Sequence, residues 1–153
     1  MLIAVDGTET DRSVTRQVLK LFGTDCHYVV VNVTERPLLM GAIPVGYGIA
    51  AAVPVPELSR FSDGIASQAE AARATAEHAL TDAGFEDAEA VGEVGDPASI
   101  LLSSAEEHHA DVIAVGTCDR SWISRLFDPS VSEAVIHRAD RAVLVLRDEG
   151  DGT

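Results

Sequence analysis

The run DVIAVG (111–116) constrains this chain more than any other feature. From Val112 to Gly116 it is wholly apolar, and it is far too short to cross a membrane. A strand with one wet face alternates apolar and polar side chains. A run apolar at every position fits the centre of a parallel sheet covered by helices on both faces. MLIAV (1–5) has the same character and is closed by DGTET, so it reads as a buried strand ending in a turn. CHYVVVNV (26–33) is β-branched and aromatic, and RAVLVLR (141–147) supplies the last strand.

Helical signals separate these runs. Val14, Val18, Leu19 and Phe22 recur at helical spacing over residues 10–22, and Gly23 stops them. A long alanine-rich helix is expected from about Glu57 to Ala83, closed by Gly84. DAEAVGEV (87–94) follows as a strand in which Ala90 and Val94 alternate with charged neighbours, although Gly92 interrupts it. In GDPASILLSSAEEH, Asp96 is placed as an N-cap and Pro97 at the first helical position, with Ile100, Leu101 and Ala105 forming the apolar face. Residues 129–138 form the last helix. Strands alternating with helices predict right-handed crossovers and a doubly wound α/β sheet.

Composition narrows the function classes. At 153 residues with 46% hydrophobic residues, the chain has the size of one domain with a real core. One domain is expected over 1–148, with 149–153 as a disordered acidic tail. The formal net charge is −14, and Lys20 is the only lysine. A field of that sign repels a phosphate backbone and argues against nucleic-acid binding through a basic face. The dispersed carboxylates resemble the composition of proteins from salt-loving archaea. No basic segment leads into a cleavable apolar one, and Gly41, Pro44, Gly46, Gly48, Pro54 and Pro56 break the most apolar stretch. Cys26 and Cys118 are too few for a disulfide framework. A cytoplasmic protein, off the membrane, is expected.

Ligands of open parallel sheets bind at the carboxyl ends of strands, where the strand order reverses. Here those ends carry VDGTE, NVTERP and GTCDRS. Asp6 is placed to contact a ribose, an adenine or a metal, or simply to form the Asx turn of DGT. His108 and His109 are adjacent at a helix end, share no helix face and make a poor metal pair. Cys118 sits in the third of these loops beside Asp119, which dulls its thiol. Trp122 and Phe127 add apolar bulk that covers a ligand or, the favoured reading, packs the loop or a dimer contact. The apolar stretch around 37–56 is too long for an idle surface loop, and an oligomer interface is favoured over a lid. No catalytic constellation emerges.

LIAVDGTE, VVVNVTE, GDPASILLSSAEEHHADVIAVGT and SVSEAVIHRADRAVLVLR, in this order and spacing, resemble the universal stress protein family over nearly the whole chain. The resemblance implies an adenine-nucleotide alpha hydrolase-like fold, a five-stranded parallel sheet of order 3-2-1-4-5. It also implies homodimers formed through the last strand, Arg141 to Arg147. ATP-binding members carry Gly-x2-Gly-x9-Gly-Ser/Thr after the fourth strand. Matched to that pattern, Gly116 holds the first glycine and Ser130 the hydroxyl, but Asp119 and Pro129 replace the other two glycines.

Those replacements oppose a triphosphate. Aspartate adds charge beside the phosphates and restricts the backbone approach that glycine permits. Proline donates no N–H, and Asp128 is placed to cap the amides a phosphate would use. The remaining contacts implied by the resemblance are kept. The Val33 backbone faces an adenine, Asp6 lies near the ribose or metal, Val115 and Gly116 flank the ribose, and Ser130 and Val131 meet the phosphates. The sequence therefore favours a non-catalytic stress-response module with a degraded ATP motif. The alternative is an adenine-nucleotide sensor or feeble ATPase, holding ATP or AMP with Mg²⁺ bridged by Asp119 and with Arg120 or Arg125 adding charge.

Overall fold

The computed structural model describes residues 1–35, 55–117 and 129–147, with side chains described over 1–35, 62–116 and 131–147. Among the described residues, five strands alternate with four helices in the order β1 (Leu2–Val5), α1 (Glu9–Phe22), β2 (Tyr28–Glu35), α2 (Val55–Ala83), β3 (Ala88–Gly95), α3 (Pro97–Glu107), β4 (Val112–Thr117), α4 (Pro129–Arg138) and β5 (Ala142–Arg147). All pairings are parallel, and the sheet order is β3-β2-β1-β4-β5. This is the doubly wound sheet expected from the apolar runs.

Strand alternation divides the core in two. Leu2, Ala4, Val29, Val31, Ile113 and Val115 meet Leu101 and Ala105 of α3 and Val135 of α4 on one face. Ile3, Val5, Tyr28, Val30 and Ala114 meet Val14 and Val18 of α1 and Ala76 of α2 on the other. Burial on both faces is why the central strands carry no polar alternation. Phe22, grouped with the apolar face of α1 in the sequence, instead stands exposed at the helix end.

Several local signals act as expected. Gly23 (φ +73°) and Gly84 (φ +75°) take the positive φ that a glycine allows where α1 and α2 end. The Asp96 carboxylate accepts the Ser99 amide at 2.9 Å, and Pro97 opens α3. The long helix starts at Val55, before the expected Glu57. Most of the 37–56 stretch lies outside the described residues, as do Cys118, Asp119, Arg120, Trp122, Arg125, Phe127, Asp128 and the 149–153 tail.

Gly92 is the informative departure. It does not interrupt β3, which pairs continuously with β2 from Ala88 to Gly95. A Cβ at this position would fall on the Arg73 amide nitrogen and the Ala69 carbonyl oxygen of α2. The glycine is there because the α2 backbone crosses the strand at that point.

Candidate functional site

The sheet opens where its order reverses. β1 pairs with β4 only through Leu2–Ile113 and Ile3–Ala114, whereas it pairs with β2 as far as Val5–Asn32. Beyond Asn32, the β2 residues Val33, Thr34 and Glu35 have a neighbour only on the β3 side. Among the described residues no strand pairs with their other edge, which lies at the carboxyl end of the sheet, the position where parallel sheets bind ligands. A cleft of about 350 Å³ lies there, lined by Asp6 and the β2 residues from Val31 to Glu35, by Ala71, Ala72 and Thr75 of α2, and by Pro97, Leu101 and Val131. That volume lies within the range of small-molecule sites.

The structure brings together Asp6, Val33 and Val131 among the residues singled out in the sequence. Val115 is fully buried in the core beneath them. Gly116 is buried, and a Cβ there would stand 2.8 Å from Val14 Cγ2. Its lack of a side chain is therefore explained by the packing of α1, without a phosphate. Pro129 opens α4 and Ser130 follows it, but neither side chain is described, and Asp119 lies outside the described residues.

Two polar residues escaped the sequence reading. Asn32 is buried, lines the cleft and donates its amide to the Val5 carbonyl at 2.9 Å, bridging the ends of β1 and β2. As the lone polar residue inside VVVNV, it was a visible signal. Asp11 looked like an ordinary acid in a helical first turn. It is in fact buried, and its carboxylate accepts the Asp6 amide at 3.0 Å and the Gly7 amide at 2.7 Å. Burial pushes the Asp11 carboxyl up to about 7; the two amide bonds oppose the rise, and the neighbouring Asp6 carboxylate adds to it. Asp6 in turn accepts the Thr8 amide at 2.9 Å and the Thr8 hydroxyl. The Asx turn and the cleft-lining position thus coexist in one residue.

The cleft is acidic. Its charged lining residues are Asp6 and Glu35, and among the described residues that line it there is no lysine or arginine. The N-terminus of α3, next to Pro97, is occupied by its own Asp96 cap. The Ser99 side-chain and backbone hydrogen bonds hold the Asp96 carboxyl below the usual range. Among the described residues no group of three His, Cys, Asp or Glu is arranged to hold a metal ion. His108 ends α3 and His109 takes φ +50° beyond it.

A doubly wound sheet of order 3-2-1-4-5 with a cleft at its switch point defines a class of small-ligand α/β proteins. Within that class, the family model of the universal stress protein family matches residues 1–147, and the chain belongs to that family. A Staphylococcus aureus (strain USA300) protein named among the universal stress proteins is 40% identical over 70 residues. That match covers 45% of this chain and 42% of the relative, less than half of its length. The solved structure of MJ0577, whose biochemical function was assigned from structure, aligns with a TM-score of 0.62 at 19% identity, covering 97% of this chain and 96% of that one. A universal stress protein from Archaeoglobus fulgidus aligns at 0.55 and 21% identity over 94% and 95% of the two chains. Another, solved in complex with cAMP, aligns at 0.54 and 21% identity over 95% and 93%. At these identities the structural likenesses establish the fold.

Proposed function

We propose that this protein is a non-catalytic, cytoplasmic stress-response module whose cleft admits adenosine or a nucleoside monophosphate but does not grip a triphosphate. The observation that carries this reading is the cleft lining, two carboxylates and no cation among the described residues. Polyphosphates are held by positive side chains, metal ions or free amides at a helix N-terminus. Asp96 already occupies the α3 terminus, and α4 opens with Pro129, which has no N–H to give. The sequence adds Asp119 where the ATP-binding pattern has glycine. The base and ribose half of the site fits better. The β2 edge beyond Asn32 suits an adenine, and Asp6, which lines the cleft, suits a ribose or a metal.

The cAMP complex of a structural neighbour favours the second reading, an adenine-nucleotide sensor or feeble ATPase with Mg²⁺ bridging phosphate to carboxylate. Calorimetric titration of adenosine, AMP and ATP with Mg²⁺, at high KCl, separates the two. AMP or adenosine is expected to bind at least as tightly as ATP, with no ATP hydrolysis. ATP affinity tenfold above that of AMP would reverse the conclusion.

The β5 edge supports a homodimer. Val145 is 39% exposed on that edge strand and Ile136 is 49% exposed on α4. An apolar strand edge left open invites pairing with a second copy. Arg141, the first residue of the expected pairing segment, stands just before β5 and reaches the C-terminus of α3. There its Nη1 donates to the Ala105 and Ala110 carbonyls at 2.7 and 2.9 Å.

A further inference from the structure

We propose that Asp11 is the positioning residue of the cleft, holding the β1–α1 turn so that ligand affinity is tied to its protonation state. The proposal rests on the reading of the cleft as an adenosine site. Its basis is geometric. The Asp6–Gly7–Thr8 turn is a wall between two cavities: Asp6 lines the cleft on one side, while Gly7, Thr8 and Asp11 line a second cavity of about 470 Å³ between α1 and α2. Thr75 of α2 borders both. Asp11 has no contact with the cleft, yet it holds the two amides, of Asp6 and Gly7, that set the direction of that wall.

The Asp11 carboxylate holds the Asp6 backbone amide at 3.0 Å, and the Asp6 carboxyl is near enough to push the Asp11 carboxyl further up. When Asp11 is protonated, its O–H donates to the Asp6 carboxylate while its carbonyl oxygen still accepts from the turn amides. The pair then carries one negative charge, and Asp6 is fixed from two sides, by Thr8 and by Asp11. When Asp11 ionises, two carboxylates face each other at the edge of the core, and the turn relaxes to part them. With Asp11 pushed up to about 7 by burial, the change falls in the neutral range. Charged groups that share the second cavity are Glu9 and Arg12 on α1 and His78 and Asp82 on α2. Arg12 and His78 are both engaged by Asp82, at 2.9 and 3.5 Å, so the charge that acts on Asp11 is that of Asp6.

Adenosine is the probe, because it has no phosphate to titrate over the same range. In the intact chain its affinity should fall about fivefold or more from pH 6 to pH 8. The Asp6 and Gly7 amide NMR signals of the ligand-free protein should move over the same interval. Asp11→Asn imitates the protonated form, donating an N–H to Asp6, and should give a flat profile. His78→Gln should leave the profile of the intact chain in place. The wild-type measurements stand alone if Asp11→Asn fails to fold. Adenosine binding that is independent of pH, or Asp6 and Gly7 amides that do not titrate, would overturn the coupling while leaving the cleft reading intact. A pH effect that vanishes in His78→Gln would assign it to the imidazole and overturn the proposal. Titrating amides with no adenosine bound at either pH would overturn the cleft reading itself, and the coupling to ligand with it.

Discussion

At the residue scale, Asp11 has a consequence for folding that needs no ligand. Its carboxyl has an ordinary value of 3.8 in the unfolded chain and is raised to about 7 in the fold. Between those values the folded protein holds a proton that the unfolded chain releases, so this group's contribution favours the fold at low pH and is lost as pH rises through about 7. A rise of that size corresponds to roughly 4 kcal/mol, and partial hydration of the site reduces this to about 2–4 kcal/mol. Asp96 acts with the opposite sign. Its carboxyl is lowered, so its contribution is present above the unfolded value and fades on acidification. Urea denaturation of Asp11→Asn should therefore show less loss of stability between pH 5 and pH 8 than the unaltered chain, by about 1–2.5 kcal/mol, the part of that difference that falls above pH 5. Equal slopes for the two proteins would mean that Asp11 is ionised throughout and that the turn amides outweigh its burial.

At the scale of elements, α2 and β3 meet through backbone, and two glycines report on it in opposite ways. Gly92→Ala would drive a methyl group into the Arg73 and Ala69 backbone, which cannot swing aside as a side chain can. The expected cost is about 3 kcal/mol or more, with loss of soluble protein as the extreme. Gly64 lies inside α2 with nothing near its missing Cβ. Gly64→Ala should stabilise the fold by about 0.5–1 kcal/mol through helix propensity alone. Thermal unfolding of the two variants checks both signs. This contrast also explains what was legible in the sequence. Gly23, Gly84, Asp96 and the apolar strands act through neighbours within four residues, so their roles could be read from local pattern. Gly92 serves a helix some twenty residues upstream, and pattern alone turned it into an interruption. In the site, Asp6 was legible because it ends a strand at the carboxyl edge of a parallel sheet, whereas Val33 and Val131, which line the same cleft, were named only by the family resemblance. Asp11 was missed because its spacing is that of any first-turn acid, and only the fold of the DGT turn buries it.

For the whole molecule, charge and the β5 edge act against each other. Each chain carries a formal −14, and pairing two copies through β5 doubles that charge within one particle. The repulsion is long-ranged in dilute salt, where the screening length is about 10 Å at 0.1 M, and short-ranged at about 3 Å in 1 M. The attraction is of a different kind. Apolar contact of Val145 and strand-edge hydrogen bonds act only at contact and are little altered by screening. Dimerisation through this edge should therefore strengthen with KCl. Sedimentation equilibrium should show the dimer fraction rising between 0.1 M and 2 M KCl, the direction expected when salt screens the repulsion between two chains of formal charge −14. Val145→Lys places a charge on the edge, the device by which natural sheets block pairing. It should leave a folded monomer at every salt concentration, because Val145 lies outside both core clusters. A dimer that survives this substitution, or one that dissociates as KCl rises, would move the interface away from β5. The exposed apolar residues Leu21 and Phe22 at the C-terminus of α1 would then be the next surface to alter.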